Sequence, residues 1–252
     1  MTSFVYRGTT FVFSIICYGM FLLVFLYLLA FLANVGVRWS IDLGRDMGSM
    51  GVAVAVDVGL ILLFGLQHSV MARPGFKRAW TRVVPKELER SAYVLLSSVV
   101  LALVMWQWRP IPTPVIWHAG ADWTAALGWT VMAAGVAILL LATFLINHFE
   151  LFGLQQGWLT LRGVALRTPA FVTPLLYKIV RHPLYIGWFL IFWGAPTMSA
   201  GHFLFSAGMS AYILIAIRFE ERDLVEHIGE PYRRYQAQVP ALIPVPGRRL
   251  SG

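Results

Sequence analysis

Residues 180–188 read VRHPLYIGW and residues 220–244 read EERDLVEHIGEPYRRYQAQVPALIP. The segment between them is apolar and contains the turn-forming residues Gly194, Pro196 and Gly201. This pattern predicts a helical hairpin in a membrane, with a polar cluster beside each of its free ends. Polar groups at such a place are costly unless they have a function, so the two clusters are the first candidates for a functional site.

The composition is typical of an integral membrane protein. Of the 252 residues, 58% are hydrophobic and 13% are charged, and the mean hydropathy is +0.70. Long apolar runs predict an all-α membrane bundle, because a membrane barrel would show weak alternating segments instead. The only cysteine, Cys17, excludes a disulfide framework within the chain. The net charge of +8 does not indicate nucleic acid, since the basic residues lie in short loops between apolar runs.

We expect one membrane domain over residues 1–252, with a four-helix N-terminal part at 1–150 and a cofactor-binding C-terminal part at 151–252. About five to six transmembrane helices are predicted, near 11–33, 52–70, 92–108, 125–147, 184–199 and 203–219. The first arm of the final hairpin is short enough to tilt or to stop before a full crossing. The long loop at 151–180 would cap a site.

The basic residues predict the orientation. With the amino terminus inside, 17 of the 20 lysines and arginines fall on one face, and only Arg38, Arg45 and Arg109 fall on the other. This bias places the basic face in the cytoplasm. We therefore expect a multi-pass protein of the cell membrane, such as a bacterial inner membrane, with both termini cytoplasmic.

The same topology brings polar residues to the inner boundary. Gln67 and His68 end the second span, and Asn147, His148 and Glu150 end the fourth. A histidine or glutamine at a span end is commonly an interfacial residue that meets water. A carboxylate near a helix carboxyl terminus gains nothing from the helix dipole, which favours a functional interpretation of the second group.

The segment RHPLY predicts a turn followed by a helix. Pro183 disfavours helical geometry at His182 and can itself begin the next helix. A helix amino terminus offers unpaired N–H groups to an anion, and Arg181 or Tyr177 could add donors.

The adjacent acids Glu220 and Glu221 could bind an amine, a ribose hydroxyl pair or a metal. The alternative is a solvated helix end, and adjacent helical side chains point about 100° apart, so only one acid easily faces a site. The end of the chain predicts a short helix on the membrane, anchored by Tyr232 and Tyr235.

The order of these motifs resembles a known superfamily. RHPLY with a following glycine and tryptophan, the acidic pair, and the ending G-x-x-Y-x-x-Y-x-x-x-V-P are similar to isoprenylcysteine carboxyl methyltransferases and phospholipid N-methyltransferases. NHFEL at 147–151 and QHS at 67–69 resemble the bacterial methanethiol S-methyltransferases more closely. The chain is also similar to NnrU-like proteins.

The resemblance implies methylation of a small thiol, giving dimethyl sulfide from methanethiol, with S-adenosylmethionine bound at the cytoplasmic face. It implies that a set of residues binds the cofactor: Tyr177, Arg181, His182, Pro183, Leu184, Tyr185, Glu220 and Glu221. Carboxyl methyltransferases carry a substrate-side arginine four residues before the cofactor glutamate, whereas this chain has Ala216. A prenylated carboxylate is therefore a poor candidate substrate.

Methyl transfer to sulfur needs aligned reactants and a thiolate. His68 and His148 are the candidate bases, since a histidine is mostly neutral at cytoplasmic pH and can accept a thiol proton. Glu150 would orient the base. Gln67 and Asn147 would hold the substrate or the amino-acid end of the cofactor, and Arg218 is the remaining candidate for substrate binding. The expected partners are the small thiol and the lipid bilayer, with no nucleic acid and no obligate protein partner.

Other functions stay open at this point. A lipid or an isoprenylcysteine could replace the thiol. A metal or haem protein could use His68, His148, His182 and Glu150, but no pair has the short spacing of a preformed site, so we expect no metal. A transporter would place ionisable residues near the bilayer midplane, where only Asp57 clearly falls.

Overall fold

The computed structural model describes residues 3–44, 48–120, 122–166, 171–247 and 250. Its elements are α1 Phe4–Ala33, α2 Met50–Ala72, α3 Pro74–Trp80, α4 Lys86–Gln107, β1 Val115–His118, α5 Trp123–Ile146, α6 His148–Leu151, α7 Leu154–Arg162, a 3₁₀ helix Leu175–Lys178, α8 Pro183–Trp193, β2 Thr197–Ser199, α9 Ala200–Ile228 and α10 Glu230–Gln238. Within these described ranges, five helices are long and apolar enough to cross a membrane: α1, α2, α4, α5 and α9. The prediction of a helical membrane bundle is confirmed.

The first arm of the hairpin differs from the expected helix at 184–199. Helix α8 has 11 residues, which is about 16 Å at 1.5 Å per residue, whereas a hydrocarbon layer is about 30 Å thick. It is followed by Gly194 and Pro196, and proline cannot donate the next helical hydrogen bond. The chain then forms β2, which pairs antiparallel with β1. The second arm is longer than 203–219, because α9 continues to Ile228.

The contacts divide the chain into two compact units. The first unit comprises Met1–Thr113 and His148–Pro169, and the second comprises Pro114–Asn147 and Ala170–Gly252. Each unit therefore contains residues from both sides of position 150. The single-domain organisation stays a prediction.

In the first unit, α1 packs against α4 and α7. The predicted loop at 151–180 thus contains a packed helix, α7, rather than irregular chain alone. Ser91 on α4 donates to the hydroxyl of Ser14 on α1 at 3.0 Å and to the carbonyl of Gly153 at 3.2 Å. Gly153 has φ 87°, and a Cβ there would lie 2.7 Å from the backbone nitrogen of Ser91. Only glycine fits this close approach.

Asp57 is fully buried in the first unit. Its Oδ1 accepts a hydrogen bond of 2.9 Å from the backbone N–H of Arg109, two residues beyond the end of α4. A buried N–H needs a partner, and the chain after α4 leaves the helical ladder. Asp57 thus has a structural role at the end of α4.

In the second unit, α5 and α8 meet through glycines. A Cβ on Gly135 would lie 2.7 Å from the carbonyl oxygen of Gly187, and one on Gly128 would lie 2.8 Å from that of Gly194. The pairing runs antiparallel and places the start of α8 beside position 139. Helix α5 continues for seven more residues, to Ile146. The start of α8 therefore lies about 10 Å short of the end of α5, measured along the helix axis.

We expect Gly135→Ala to destabilise the protein. The added methyl group meets backbone atoms, so overpacking costs about 1–3 kcal/mol, which exceeds the gain of about 1 kcal/mol in helix propensity. Gly59→Ala in α2 is the matched control, because nothing lies within 4 Å of a Cβ there. Thermal unfolding in detergent checks this, and an unchanged Tm for Gly135→Ala would contradict the close α5–α8 contact.

Candidate functional site

The second unit brings the two clusters of the C-terminal third together. Nε2 of His182 donates to Oε1 of Glu221 at 2.9 Å, and Nε of Arg181 donates to the same oxygen at 2.7 Å. The hydroxyl of Tyr185 donates to Oε2 of Glu220 at 2.7 Å. The rings of His182 and Tyr185 stack with their centroids 5.4 Å apart. We call these five residues, Arg181, His182, Tyr185, Glu220 and Glu221, the acid–histidine cluster.

The two glutamates of this cluster differ in their surroundings. Glu221 has a side chain only 16% exposed, and its second oxygen accepts from Nε2 of Gln236 at 3.1 Å. Glu220 is 43% exposed, and its Oε2 lies 4.0 Å from Nδ1 of His182. Its remaining oxygen accepts no hydrogen bond from the described residues. Glu221 therefore holds the cluster together, whereas Glu220 is available to a ligand.

Arg181 joins the cluster to the end of the chain. Its Nη1 donates to the carbonyl of Gln236 at 3.1 Å and to that of Val239. Its backbone N–H donates to the carbonyl of Pro240 at 2.9 Å, and that of His182 donates to Ala241 at 3.0 Å. Arginine carries five donors in a fixed fork, which allows one side chain to satisfy the carboxylate and two carbonyls. The position of His182 thus depends on the folded tail.

The amino terminus of α8 offers fewer donors than the motif predicts. Pro183 has no N–H, and the N–H groups of Tyr185 and Ile186 donate to the carbonyl of His182 at 3.1 and 3.3 Å. Among the first four residues of α8, only Leu184 has a backbone N–H outside these bonds. Anion binding by this helix end would rest mainly on side chains.

Tyr177 occupies a structural position beside the cluster. Its hydroxyl donates to the carbonyl of Ala142 at 3.3 Å, and its own carbonyl accepts from the hydroxyl of Tyr235 at 2.6 Å. Burial, and next the negative charge of Glu220, raises the pKa of Tyr177 far above its usual range, so the hydroxyl stays a donor.

Tyr232 and Tyr235 are 2% and 5% exposed and pack with Val239. The sequence-based prediction that they anchor α10 in the membrane is therefore wrong: they form a core that fixes the tail. Among the other predicted cofactor and substrate residues of this unit, Pro183 is buried and Leu184 is half-buried, whereas Arg218 is exposed.

The first unit contains His148 in an aromatic environment. His148 is 4% exposed, and its Nε2 lies 2.8 Å from the hydroxyl of Tyr18 on α1. Its ring centroid is 4.8 Å from that of Phe152 and 5.4 Å from that of Phe149. Burial lowers the pKa of His148, so the ring stays neutral at cytoplasmic pH. A neutral imidazole can accept a proton.

His68 is hydrogen-bonded at both of its ring nitrogens. Its Nδ1 lies 3.1 Å from the hydroxyl of Ser97, and its Nε2 lies 2.8 Å from the hydroxyl of Tyr93. Arg90 stands over the Tyr93 ring, with its guanidinium carbon 5.4 Å from the ring centroid. Both ring nitrogens of His68 thus have partners in the fold, which suits a structural histidine.

Gln67 accompanies His68 at the end of α2. Its Nε2 lies 3.0 Å from the sulfur of Met71 and 3.5 Å from the hydroxyl of Ser97. Its Oε1 is buried without a partner in the described part of the chain. A buried acceptor without a donor is costly, so this amide is suited to a small donor such as a thiol S–H.

Asn147 and Glu150 lie at the break between α5 and α6. Asn147 has φ 103° and ends α5, a conformation that asparagine adopts more readily than most residues. Glu150 is half-buried, and its carbonyl accepts from Nε2 of Gln156 at 3.1 Å. Nε of Arg90 donates to the carbonyl of the next residue, Leu151, at 2.6 Å. These bonds hold α6 against α7 and α4, respectively.

Sequence reasoning did not identify Tyr18, Ser97 or Gln236. Tyr18 is a polar group inside a 30-residue apolar helix, which is a usable signal, since such groups need a partner. Nothing in the sequence pairs Gln236 with Glu221. Among the described residues, no three His, Cys, Asp or Glu side chains group as metal ligands.

Comparison with known proteins identifies the family of the chain. The family model described as NnrU protein matches residues 58–245. Methanethiol S-methyltransferase 2 of Bradyrhizobium diazoefficiens is 48% identical over 92% of this chain and 88% of its own length. Methanethiol S-methyltransferase of Crocosphaera subtropica is 45% identical over 98% of this chain and 96% of its own. Human Nurim is 32% identical over 68% of each chain. No solved structure matches the chain. The chain therefore belongs to the NnrU family and to the methanethiol S-methyltransferase family.

Proposed function

We propose that this membrane protein is an enzyme that methylates methanethiol to dimethyl sulfide, with S-adenosylmethionine as the methyl donor. The relatives named methanethiol S-methyltransferase support the reaction. The acid–histidine cluster carries the cofactor assignment, because it presents Glu220, a half-exposed carboxylate with a free oxygen. Beside it, Glu221 is only 16% exposed and both of its oxygens have partners.

The cluster fits the polar end of this cofactor. An ammonium group or a ribose hydroxyl would donate to the free oxygen of Glu220, and the hydroxyl of Tyr185 already orients the other oxygen. His182, Tyr177 and Leu184 complete the proposed binding set, while Arg181, Pro183 and Glu221 hold its shape. S-adenosylmethionine supplies an electrophilic methyl group on a sulfonium centre.

The chain's own contribution to the reaction is orientation and proton transfer. The thiolate sulfur forms the new bond to the methyl carbon as the sulfonium C–S bond breaks, and the thiol proton must leave to a base. We assign the base to His148, whose ring is neutral and buried among aromatic side chains. We give His68 a structural role, because both of its ring nitrogens are hydrogen-bonded within the first unit. Gln67, with its buried acceptor, is the proposed partner of the thiol. Asn147 and Arg218 are further candidates for substrate binding, and Glu150 is the candidate that orients the base. The reaction would take place at the cytoplasmic face of the cell membrane.

The decisive experiment offers four substrates to the purified protein with isotope-labelled S-adenosylmethionine: methanethiol, hydrogen sulfide, a prenylcysteine and a phospholipid. We expect the label mainly in dimethyl sulfide, identified by mass. A preference for the phospholipid or the prenylcysteine would overturn the substrate.

Calorimetry with S-adenosylhomocysteine tests the cofactor site separately. Glu220→Gln should weaken binding by about ten- to one-hundredfold, since a hydrogen bond to a charged group contributes about 1.5–3 kcal/mol. Glu230→Gln is the control, because Glu230 is exposed and, among the described residues, pairs with exposed Arg234. Equal binding by both variants would overturn the assignment of Glu220.

A further inference from the structure

The first unit contains an apolar groove between α1 and α4. Its volume is about 320 Å³, with Val24 and Met105 among the residues that line it. These two side chains are 7% and 3% exposed and form the floor, whereas Leu23 and Trp106 on the rims are 67% and 47% exposed. A groove with a buried floor and exposed rims, on two helices that can cross a membrane, opens toward lipid.

The depth of the groove corresponds to one leaflet. Its far end is at Leu23, ten residues before α1 ends at Ala33, which is about 15 Å along the helix. Its near end is at Trp39 and Trp106, and Trp106 is one residue from the end of α4. Tryptophan prefers the interface between hydrocarbon and headgroups. The groove therefore extends from the interface through about half of a hydrocarbon layer of about 30 Å.

A positive charge stands at the near end. The guanidinium carbon of Arg38 lies 5.8 Å from the ring centroid of Trp39, and the Arg38 side chain is exposed. The backbone at Trp39 is held in place, because its carbonyl accepts from the hydroxyl of Tyr27 at 2.9 Å. The Trp39 ring lines the groove, so Arg38 beside it stands where an apolar chain in the groove would end.

We propose that this groove is a binding site for a phospholipid of one leaflet. One acyl chain fills the groove, and the headgroup phosphate lies at Arg38. Arginine matches phosphate geometry, and a headgroup with a net negative charge binds more tightly than a zwitterionic one. The groove shares no residue with the acid–histidine cluster, and the inference does not depend on the proposed methyl transfer.

Native mass spectrometry of the purified full chain tests this proposal, with phosphatidylglycerol and phosphatidylcholine titrated against detergent. The wild type should retain one phosphatidylglycerol more tightly than phosphatidylcholine. Arg38→Gln should weaken phosphatidylglycerol binding by about fivefold, the effect of one basic residue near a membrane surface. Arg82→Gln is the control. Arg82 is also exposed, but it precedes the first turn of α4, whereas the groove lies near the last turns of that helix.

Filling the groove with a larger side chain tests whether an acyl chain occupies it. Ala102 lines the groove, so Ala102→Trp should abolish retention of both lipids. If that variant does not fold, Leu23→Trp on the exposed rim supplies the block without disturbing the core. Unchanged lipid retention in a folded groove-blocked variant, or equal loss in Arg38→Gln and Arg82→Gln, would overturn the site.

Discussion

Replacing His148 with glutamine is expected to lower the kcat of methanethiol methylation by about 10²–10⁴-fold, the usual contribution of a general base. Glutamine keeps a hydrogen-bonding side chain near Tyr18 but cannot accept the thiol proton. Cofactor binding should be unchanged, so calorimetry with S-adenosylhomocysteine separates this loss from damage to the acid–histidine cluster. The control is His118→Gln, because His118 is exposed and bonds to Thr197 in the β1–β2 pair.

The pH dependence of the wild type provides a second readout. Burial lowers the pKa of His148 from its ordinary value of about 6.5. The base is then neutral and active above that lowered pKa, and activity falls only as the pH drops through it. The acid limb of the kcat profile should therefore lie below about pH 6.5. Full activity of His148→Gln from about pH 5 to 8 would show that His148 is not the base.

Replacing Glu221 with leucine is expected to destabilise the protein by about 3–5 kcal/mol, the cost of breaking a buried ion pair. Arg181 and Glu221 are only 11% and 16% exposed, so water compensates poorly for the lost carboxylate. His182 and Gln236 lose the same partner. We therefore also expect loss of S-adenosylhomocysteine binding, although Glu221 itself is assigned no contact with the cofactor.

Two other variants, Glu230→Leu and Glu220→Gln, serve as controls for Glu221→Leu. Removing the exposed Glu230–Arg234 pair by Glu230→Leu should change stability by less than about 1 kcal/mol, because exposed pairs contribute little. Glu220→Gln should weaken cofactor binding while the melting temperature stays near that of the wild type. Thermal unfolding in detergent measures the first quantity and calorimetry the second. Equal melting temperatures for Glu221→Leu and Glu230→Leu would contradict the buried pair.

Local sequence patterns predicted most of the helices but not the ends of the hairpin. Long apolar runs indicate spans because backbone polar groups in lipid must be satisfied inside a helix. The same rule could not show where α8 ends, since an apolar run of this length suits either a helix or a short helix followed by a strand. The antiparallel pairing of β2 with β1 selects the second arrangement, and that pairing joins segments about 80 residues apart.

The roles of the two adjacent glutamates show the same limit. The sequence indicated that side chains at 220 and 221 point in different directions on one helix. It could not indicate which of them is buried, because that depends on Arg181, His182 and Gln236, which come from two other segments. Tyr232 and Tyr235 were misassigned for a similar reason. Their spacing suits a membrane-facing surface, but Val239 and neighbouring apolar residues cover them in the folded tail.

The sequence by itself therefore determined the membrane helical class, the family and the residue types of the acid–histidine cluster. These properties follow from hydrophobic runs and short motifs, which act over a few turns of chain. Tertiary structure alone decided that Glu221 is a structural anchor and Glu220 the accessible acid, that Tyr18 pairs with His148, and that α1 and α4 leave a groove between them. Each of these depends on contacts between distant segments, where burial and partner geometry, rather than residue type, decide what a side chain does.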